Sequence, residues 1–149
     1  MKNILVAIDL EGKTINLINN ARELAKKFGS KVWIIHIIER RSNYYGTPDA
    51  LQYEVQYVNM RDAEAKELKE ESIMVQEYSD QLIKEGIKSE GLLVEGPTIK
   101  VIMEEAVKLK IDLIIIGSHK YSFLYDSLIK STSSSILRKS EIPIMVVPI

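Results

Sequence analysis

The sequence predicts an α/β protein with a five-stranded parallel sheet and helices on both faces. Short runs of β-branched and other apolar residues recur along the chain with almost no polar interruption, which is typical of strands covered on both faces. Between these runs, apolar residues recur every three or four positions, as in amphipathic helices. The two patterns alternate through the chain, and right-handed crossovers fold such an alternation into one sheet between helix layers.

Five strands and four helices follow from these patterns. The predicted strands are Ile4 to Ile8, Val32 to Ile38, Ile87 to Val94, Leu113 to Ile116 and Pro143 to Val147. The predicted helices are Thr14 to Phe28, a long one to about Glu85, one from Pro97 through Leu109, and Ser134 to Lys139. A loop from Arg40 to Pro48 precedes the long helix. We expect Thr14 to cap the first helix and Gly29 to terminate it. The second helix is unusually long, which leaves room for a break near Met60, and its charged middle predicts a solvated face.

Composition limits the classes of protein to consider. A chain of 149 residues, 46% of them hydrophobic, predicts a single domain over residues 1–149. Twenty basic and twenty-one acidic side chains give a net charge of -1, so we expect neither a nucleic acid nor a membrane as partner. The absence of cysteine excludes disulfides, thiolate metal sites and cysteine nucleophiles. The apolar opening is too short for a signal peptide or a membrane span, and we expect a cytoplasmic protein.

The candidate ligand site lies where the fourth strand hands over to the last helix. Gly117 follows the buried run, and the hydroxyl-rich turn of Ser131, Thr132 and Ser133 precedes the helix. Helix N-termini present unpaired N–H groups and partial positive charge, which favours a phosphate there. Ligands of parallel sheets bind beyond the carboxyl ends of the strands, where Asp9 and Ile37 also lie. Spacing alone leaves Asp9 open between a ligand role and a helix cap or turn former.

Established catalytic and metal motifs are missing from the sequence. His36 lies inside an apolar strand and is expected to be a hydrogen-bonded core histidine, whereas His119 could contact a phosphate. Neither histidine has acidic or cysteine partners at metal-ligand spacing, so we predict no metal site. No Gly-x-Gly-x-x-Gly, Walker A loop or Gly-x-Ser-x-Gly is present. We therefore assign no catalytic residue.

The whole chain resembles the universal stress protein family. The matching segments are KNILVAIDLEG, VWIIHII, VEGPTIKVIMEEA, DLIIIGSHK and STSSSILRKSEIPIMVVP. The resemblance implies a flavodoxin-like sheet of order 3-2-1-4-5. It also implies a homodimer, made by pairing of the C-terminal strands from Pro143 to Pro148, and an exposed apolar edge strand independently favours such a partner.

Many members of this family bind ATP through the pattern Gly-x-x-Gly, nine residues, Gly-Ser/Thr after the fourth strand. In this sequence Gly117 and Ser131 match, but Lys120 and Lys130 replace the second and third glycines. The lysines could hold phosphate by charge, or could fill its space and pair with a carboxylate such as Asp126. By resemblance, the cofactor-binding candidates fall into groups by the part of the nucleotide they contact: Asp9 and Ile37 at the base, Gly117, Ser118 and His119 around the ribose and phosphates, Ser131 and Thr132 at the helix start, and Lys120 and Lys130 at the replaced glycines.

The resemblance implies a dimeric stress-response or regulatory module with a degenerate ATP-binding motif and an unknown regulatory protein partner. The alternative within the family is a nucleotide-binding member that holds ATP or AMP, with Mg²⁺ accompanying ATP. A slow ATPase or nucleotidyl-transfer enzyme would need a metal ligand near the γ-phosphate, for which Asp9, His119 and Asp126 are the candidates. A flavin-binding protein would need a phosphate loop after the first strand, and Leu10 to Lys13 does not supply one.

Overall fold

The computed structural model describes residues 1–10, 13–39, 50–117 and 140–149, and for residues 50–61 it gives only the course of the helix. The strands are β1 (Asn3–Ile8), β2 (Lys31–Ile38), β3 (Ser89–Glu95), β4 (Leu113–Gly117) and β5 (Ile144–Val147). The helices in these ranges are α1 (Thr14–Phe28), α2 (Ala50–Lys84) and α3 (Thr98–Lys108). The predicted loop from Arg40 to Pro48 and the predicted helix from Ser134 to Lys139 lie outside the described residues.

The five strands form one parallel sheet of order β3-β2-β1-β4-β5, which confirms the predicted architecture. The central strand β1 pairs with β2 from Asn3 opposite Lys31 to Ile8 opposite His36. On its other side β1 pairs with β4, where Ile4 lies opposite Leu113. The chain therefore adds strands on one side of β1 first and on the other side later, and the order reverses between β1 and β4.

Alternating side chains of the strands build two separate cores. On one face, residues of β1, β2 and β4 pack against α1 and the C-terminal part of α2, with Ile4, Ile18 and Leu82 fully buried. On the other face, Leu5, Ile35 and their neighbours pack against α3. Because a strand directs successive side chains to opposite faces, the continuous apolar runs of the sequence supply both cores at once.

Helix α2 is continuous over 35 residues, without a break at Met60. At 1.5 Å per residue it is about 52 Å long, roughly twice the length of the strands it covers. Val75 and Leu82 bury their side chains against the sheet, whereas the side chains from Asp62 to Glu70 are exposed apart from partly buried Leu68. The charged middle of the helix is thus the predicted solvated face.

Most element boundaries agree with the sequence patterns. Helix α1 has the predicted bounds, and Gly29 ends it in the left-handed conformation with φ of 65°. Strand β3 begins at Ser89, two residues later than expected, because Ile87 belongs to the turn after α2 and buries its side chain in the core below. Strand β5 begins after Pro143, whose carbonyl accepts a hydrogen bond from the Ile114 amide.

Candidate functional site

The carboxyl ends of β1, β2 and β4 bring three of the predicted site residues to one edge of the sheet. Asp9 follows β1 directly, Ile37 is the penultimate residue of β2, and Gly117 is the last residue of β4. The strand order reverses between β1 and β4, which is where ligands of open parallel sheets bind. We refer to this end of the sheet as the carboxyl edge.

The loop after β1 is held by a side-chain hydroxyl. Thr14 donates a hydrogen bond from Oγ1 to the backbone carbonyl of Asp9 at 2.6 Å, and its side chain is buried. The N-cap of α1 is Lys13, without a side-chain cap. The prediction that Thr14 caps the helix was therefore wrong: Thr14 is already helical, and its hydroxyl fixes the loop that carries Asp9. Asp9 is not the cap either, which removes one of its two structural interpretations.

His36 has the structural contacts expected of a core histidine. Its Nδ1 lies 3.0 Å from the carbonyl oxygen of Ile8, and because a carbonyl only accepts, Nδ1 carries the hydrogen. Its Nε2 faces Glu71 of α2, with 3.9 Å between Nε2 and Oε1. His36 therefore joins the ends of β1 and β2 to α2.

A small cavity of about 50 Å³ lies between the ends of β1 and β2. Its described lining comprises Ala7, Ile8, Asp9, Ile35, His36, Ile37 and Thr98. The lining residues are mostly aliphatic, and the polar ones among them are Asp9, His36 and Thr98. Two of the predicted site residues, Asp9 and Ile37, thus share one cavity.

The start of α3 forms the neighbouring part of the carboxyl edge. Pro97 is the N-cap residue and makes no side-chain capping bond. Instead Glu39, 59 residues earlier in the chain, accepts hydrogen bonds at its Oε1 from the backbone N–H and the hydroxyl of Thr98, both at 2.8 Å. Glu39 also lines a cleft of about 270 Å³ with Glu95, Gly96 and Pro97.

Sequence patterns did not single out Glu39 and Thr98 as site residues. One signal was available, since a helix that starts at Gly-Pro-Thr has no capping side chain before it and needs an acceptor from elsewhere. The identity of that acceptor depends on the β2–β3 pairing, which places Ile38 opposite Glu95 and so brings the end of β2 beside the start of α3.

Gly117 is a glycine for reasons of packing. A Cβ added there would lie 2.5 Å from Cδ1 of Ile149 and 3.6 Å from Cδ1 of Leu17. Its φ is not positive, unlike those of Gly29, Gly86 and Gly96. The glycine at this position is therefore explained by the apolar side chains that cover its Cα, and not by a left-handed backbone.

The remaining candidates, Ser118, His119, Lys120, Lys130, Ser131 and Thr132, lie outside the described residues. Both interpretations of the two lysines stay predictions. Within the described ranges, no group of three or more His, Asp or Glu side chains is placed to hold a metal ion. No helix of the same ranges is long and apolar enough to cross a membrane.

The fold and this edge define a flavodoxin-like α/β protein with its candidate site at the carboxyl ends of the strands. The chain belongs to the universal stress protein family, whose sequence profile matches residues 1–148. The universal stress protein A homolog 2 of Coxiella burnetii is similar to it, with 30% identity over 99% of this chain and 95% of the relative.

Solved structures share the fold. The hypothetical protein MJ0577 superposes with a TM-score of 0.70 at 21% identity, covering 99% of this chain and 96% of that one. A universal stress protein in complex with cAMP superposes with a TM-score of 0.61 at 19% identity, covering 98% of this chain and 96% of that one. The protein from Archaeoglobus fulgidus in complex with dAMP gives the same score and identity, covering 98% and 97%.

Proposed function

We propose that this chain is a dimeric regulatory module that binds an adenine nucleotide at the carboxyl edge, without efficient turnover. The observation that carries the proposal is the cavity shared by Asp9 and Ile37, the two residues that the family resemblance places near the base. Two universal stress proteins of the same fold form complexes with cAMP and with dAMP, which supports the same class of ligand here.

The chemistry of the cavity suits one edge of a purine. Aliphatic walls from Ala7, Ile35 and Ile37 favour the apolar faces of an aromatic ring, and the carboxylate of Asp9 can accept a hydrogen bond from an amino or hydroxyl group. The cavity volume of about 50 Å³ is larger than the roughly 30 Å³ that one water molecule occupies in the liquid. It is too small to hold a whole purine base. In the proposed complex the base therefore enters by one edge and the remainder of the nucleotide lies along the strand ends.

In this proposal the phosphates lie beyond Gly117, near Lys120, Lys130, Ser131 and Thr132. Ammonium groups beside a helix N-terminus offer charge and hydrogen-bond donors to a phosphate. The competing possibility, that the lysines close an inherited site, is the main outcome that the binding experiment must distinguish.

The binding experiment combines two measurements. Nucleotide released from the purified, denatured protein is analysed first, and ATP and AMP are then titrated calorimetrically into the wild type, Asp9→Ala and a Lys120→Gly/Lys130→Gly double variant. We expect the wild type to bind, and Asp9→Ala to bind about tenfold more weakly, since a lost hydrogen bond to a charged group costs roughly 1.5 kcal/mol. Asp62→Ala, on the exposed part of α2, is the matched control and should bind as the wild type does.

Each outcome of the titration has a definite meaning. Binding by the wild type and its weakening in Asp9→Ala support the proposal. Binding by the double-glycine variant alone would show that the lysines have closed the site, and the function would then lie in the dimer and its protein partners.

The dimer of the proposal is made by β5. This strand is at the edge of the sheet and pairs with β4, and Val146 is 46% exposed. An apolar edge strand with free backbone groups is a template for a second strand, and a second copy of the chain supplies one. We expect Val146→Lys to convert the dimer to a monomer in light scattering. Val107→Lys, at an exposed valine of α3, is the control and should leave the mass unchanged.

A further inference from the structure

The N-terminus of α3 lies at the carboxyl edge, and the carboxylate of Glu39 is bound to it. No acidic residue stands in the first turn of α3, and its N-cap is a proline. The Oε1 atom of Glu39 fills this place by accepting both the N–H and the hydroxyl of Thr98 at 2.8 Å. A helix N-terminus favours one negative charge through its unpaired N–H groups and partial positive charge, and here the protein provides that charge itself.

The cleft beside this helix start is acidic as well. Glu39 and Glu95 both line it, together with Gly96 and Pro97. Within the described part of α3, the nearest cation is Lys100, whose Nζ lies 3.9 Å from Oε1 of Glu104. Of the described residues that line the cleft, two are acidic and none is basic.

Thr98 connects the acidic cleft to the proposed base cavity. Thr98 is buried, it lines the cavity with Asp9 and Ile37, and its N–H and hydroxyl donors are both bonded to Glu39. Glu39 is not in the described lining of the cavity, but it holds Thr98, which is. The position of this part of the cavity wall thus depends on Glu39.

We propose that Glu39 is a positioning and charge-selecting residue for the ligand, a role that rests on the proposed nucleotide function. Its carboxylate fixes Thr98 at the wall of the cavity and excludes phosphate from the β2–β3 side of the carboxyl edge. The ligand accordingly places its uncharged, hydrogen-bonding heterocycle at the ends of β1 and β2 and its phosphates toward β4. The repulsion between Glu39 and the ligand therefore increases with the number of phosphates on the nucleotide.

The variant Glu39→Gln separates the two parts of this role. Both hydrogen bonds end on the single oxygen Oε1, so the amide oxygen of glutamine can accept both while the charge is removed. Glu39→Ala removes charge and hydrogen bonds together. Glu104→Gln removes one charge from the exposed face of the same helix and serves as the control.

The experiment is calorimetric titration of adenosine, AMP and ATP into the wild type and the three variants. For Glu39→Gln we expect the affinity for adenosine to stay within about twofold of that of the wild type. We expect the affinity for ATP to rise by about two- to fivefold for each phosphate charge, because charges about 10 Å apart in a partly aqueous environment repel each other by that amount. The gain should shrink between low and high salt, since screening weakens it, whereas a purely structural role would not depend on salt. Glu39→Ala should weaken adenosine as well, and Glu104→Gln should leave all three affinities unchanged.

The outcomes separate this inference from the function on which it rests. If the wild type binds ATP and the ratio of ATP to adenosine affinity is the same in Glu39→Gln, the charge-selecting role is overturned while nucleotide binding stands. If the ratio shifts equally in Glu104→Gln, the effect belongs to net charge and the assignment to Glu39 is overturned. If the wild type binds none of the three ligands, the proposed function itself fails and takes this inference with it.

Discussion

The two ends of the same five strands are completed in different ways. At the amino ends, polar groups are bonded to one another: Oδ2 of Asp112 accepts the backbone N–H groups of Lys2 and Asn3 at 2.6 and 2.9 Å, and Ser30 donates its hydroxyl to the carbonyl of Met1 at 2.9 Å. At the carboxyl ends, a cavity and an acidic cleft remain between the elements.

Ion pairs add to the closure of the amino ends. Glu85, just after α2, lies 2.9 Å from Nε of Arg22 and 2.7 Å from Nζ of Lys26. The hydrogen bond from Lys26 lowers the pKa of Glu85 below its ordinary value, despite an opposing effect of desolvation. Both ends belong to the same buried strands, so the difference described here concerns polar side chains and not the two hydrophobic cores. Within the described ranges, these contacts join strands and helices at the amino ends, and the cavity and the cleft lie at the carboxyl ends.

The largest expected loss of stability is at Gly91 of β3, where helix α2 packs on the sheet. An added Cβ would lie 2.9 Å from Cγ1 of Val75 and 3.2 Å from its backbone carbonyl oxygen. Gly91→Ala should push α2 away from β3 and lower the free energy of unfolding by about 1–3 kcal/mol in chemical denaturation. The loss should persist in a Val75→Ala background, because the backbone contact remains. A cost below about 0.5 kcal/mol would show that α2 moves without strain.

A smaller loss of stability is expected from substituting Gly117, the glycine at the carboxyl edge. At Gly117 the nearest atom to an added Cβ is the terminal methyl of Ile149, which can rotate away. Gly117→Ala should therefore cost about 1 kcal/mol or less. A double-mutant cycle with Ile149→Ala tests the cause, since the cost should disappear when the methyl is gone. A cost that is unchanged in that background would locate the strain elsewhere.

The smallest effect at neutral pH is expected at Asp112. The backbone N–H of Asn3, and then that of Lys2, lower the pKa of this carboxyl below its ordinary value of 3.8. A lowered pKa in the folded state stabilises the protein fully above pH 3.8, and the contribution is lost as the pH falls through the folded-state pKa. Asp112→Asn should thus unfold at a lower temperature than the wild type at pH 6, with the difference shrinking below pH 3.8.

The control for this pH series is Asp62→Asn, at an exposed position of α2. Its melting temperature should follow that of the wild type throughout the series. An Asp112→Asn deficit of constant size down to pH 2.5 would contradict the assigned role of the carboxylate, because a protonated carboxyl no longer differs from asparagine in charge.

Sequence patterns predicted the architecture because each element carries its own signal. Helix α1 has both its periodicity and its terminating Gly29 in one continuous segment, and its bounds were predicted without error. Strand order and the position of Asp9 and Ile37 at one edge follow from topology and from the family resemblance.

Contacts between distant segments could not be read in this way. The cap of α3 comes from Glu39, and Gly91 is required by the approach of the Val75 backbone, which depends on the packed structure. The contact of Gly117 with the side chain of Ile149 is equally a product of the packed structure. Thr14 shows the same limit locally, since a hydroxyl at a helix start can bond the preceding loop as readily as the helix.

The fluorescence of Trp33 reports on the amino ends of the strands. It is the only tryptophan of the chain, its ring lies 3.4 Å from the ammonium group of Lys31, and its indole nitrogen is 3.4 Å from Oδ1 of Asn3. Four residues of extended strand, about 13 Å, separate it from Ile37 at the other end of β2. Its fluorescence will follow melting of the amino ends, and a change of emission on adding nucleotide that free tryptophan does not show would indicate communication along the strand.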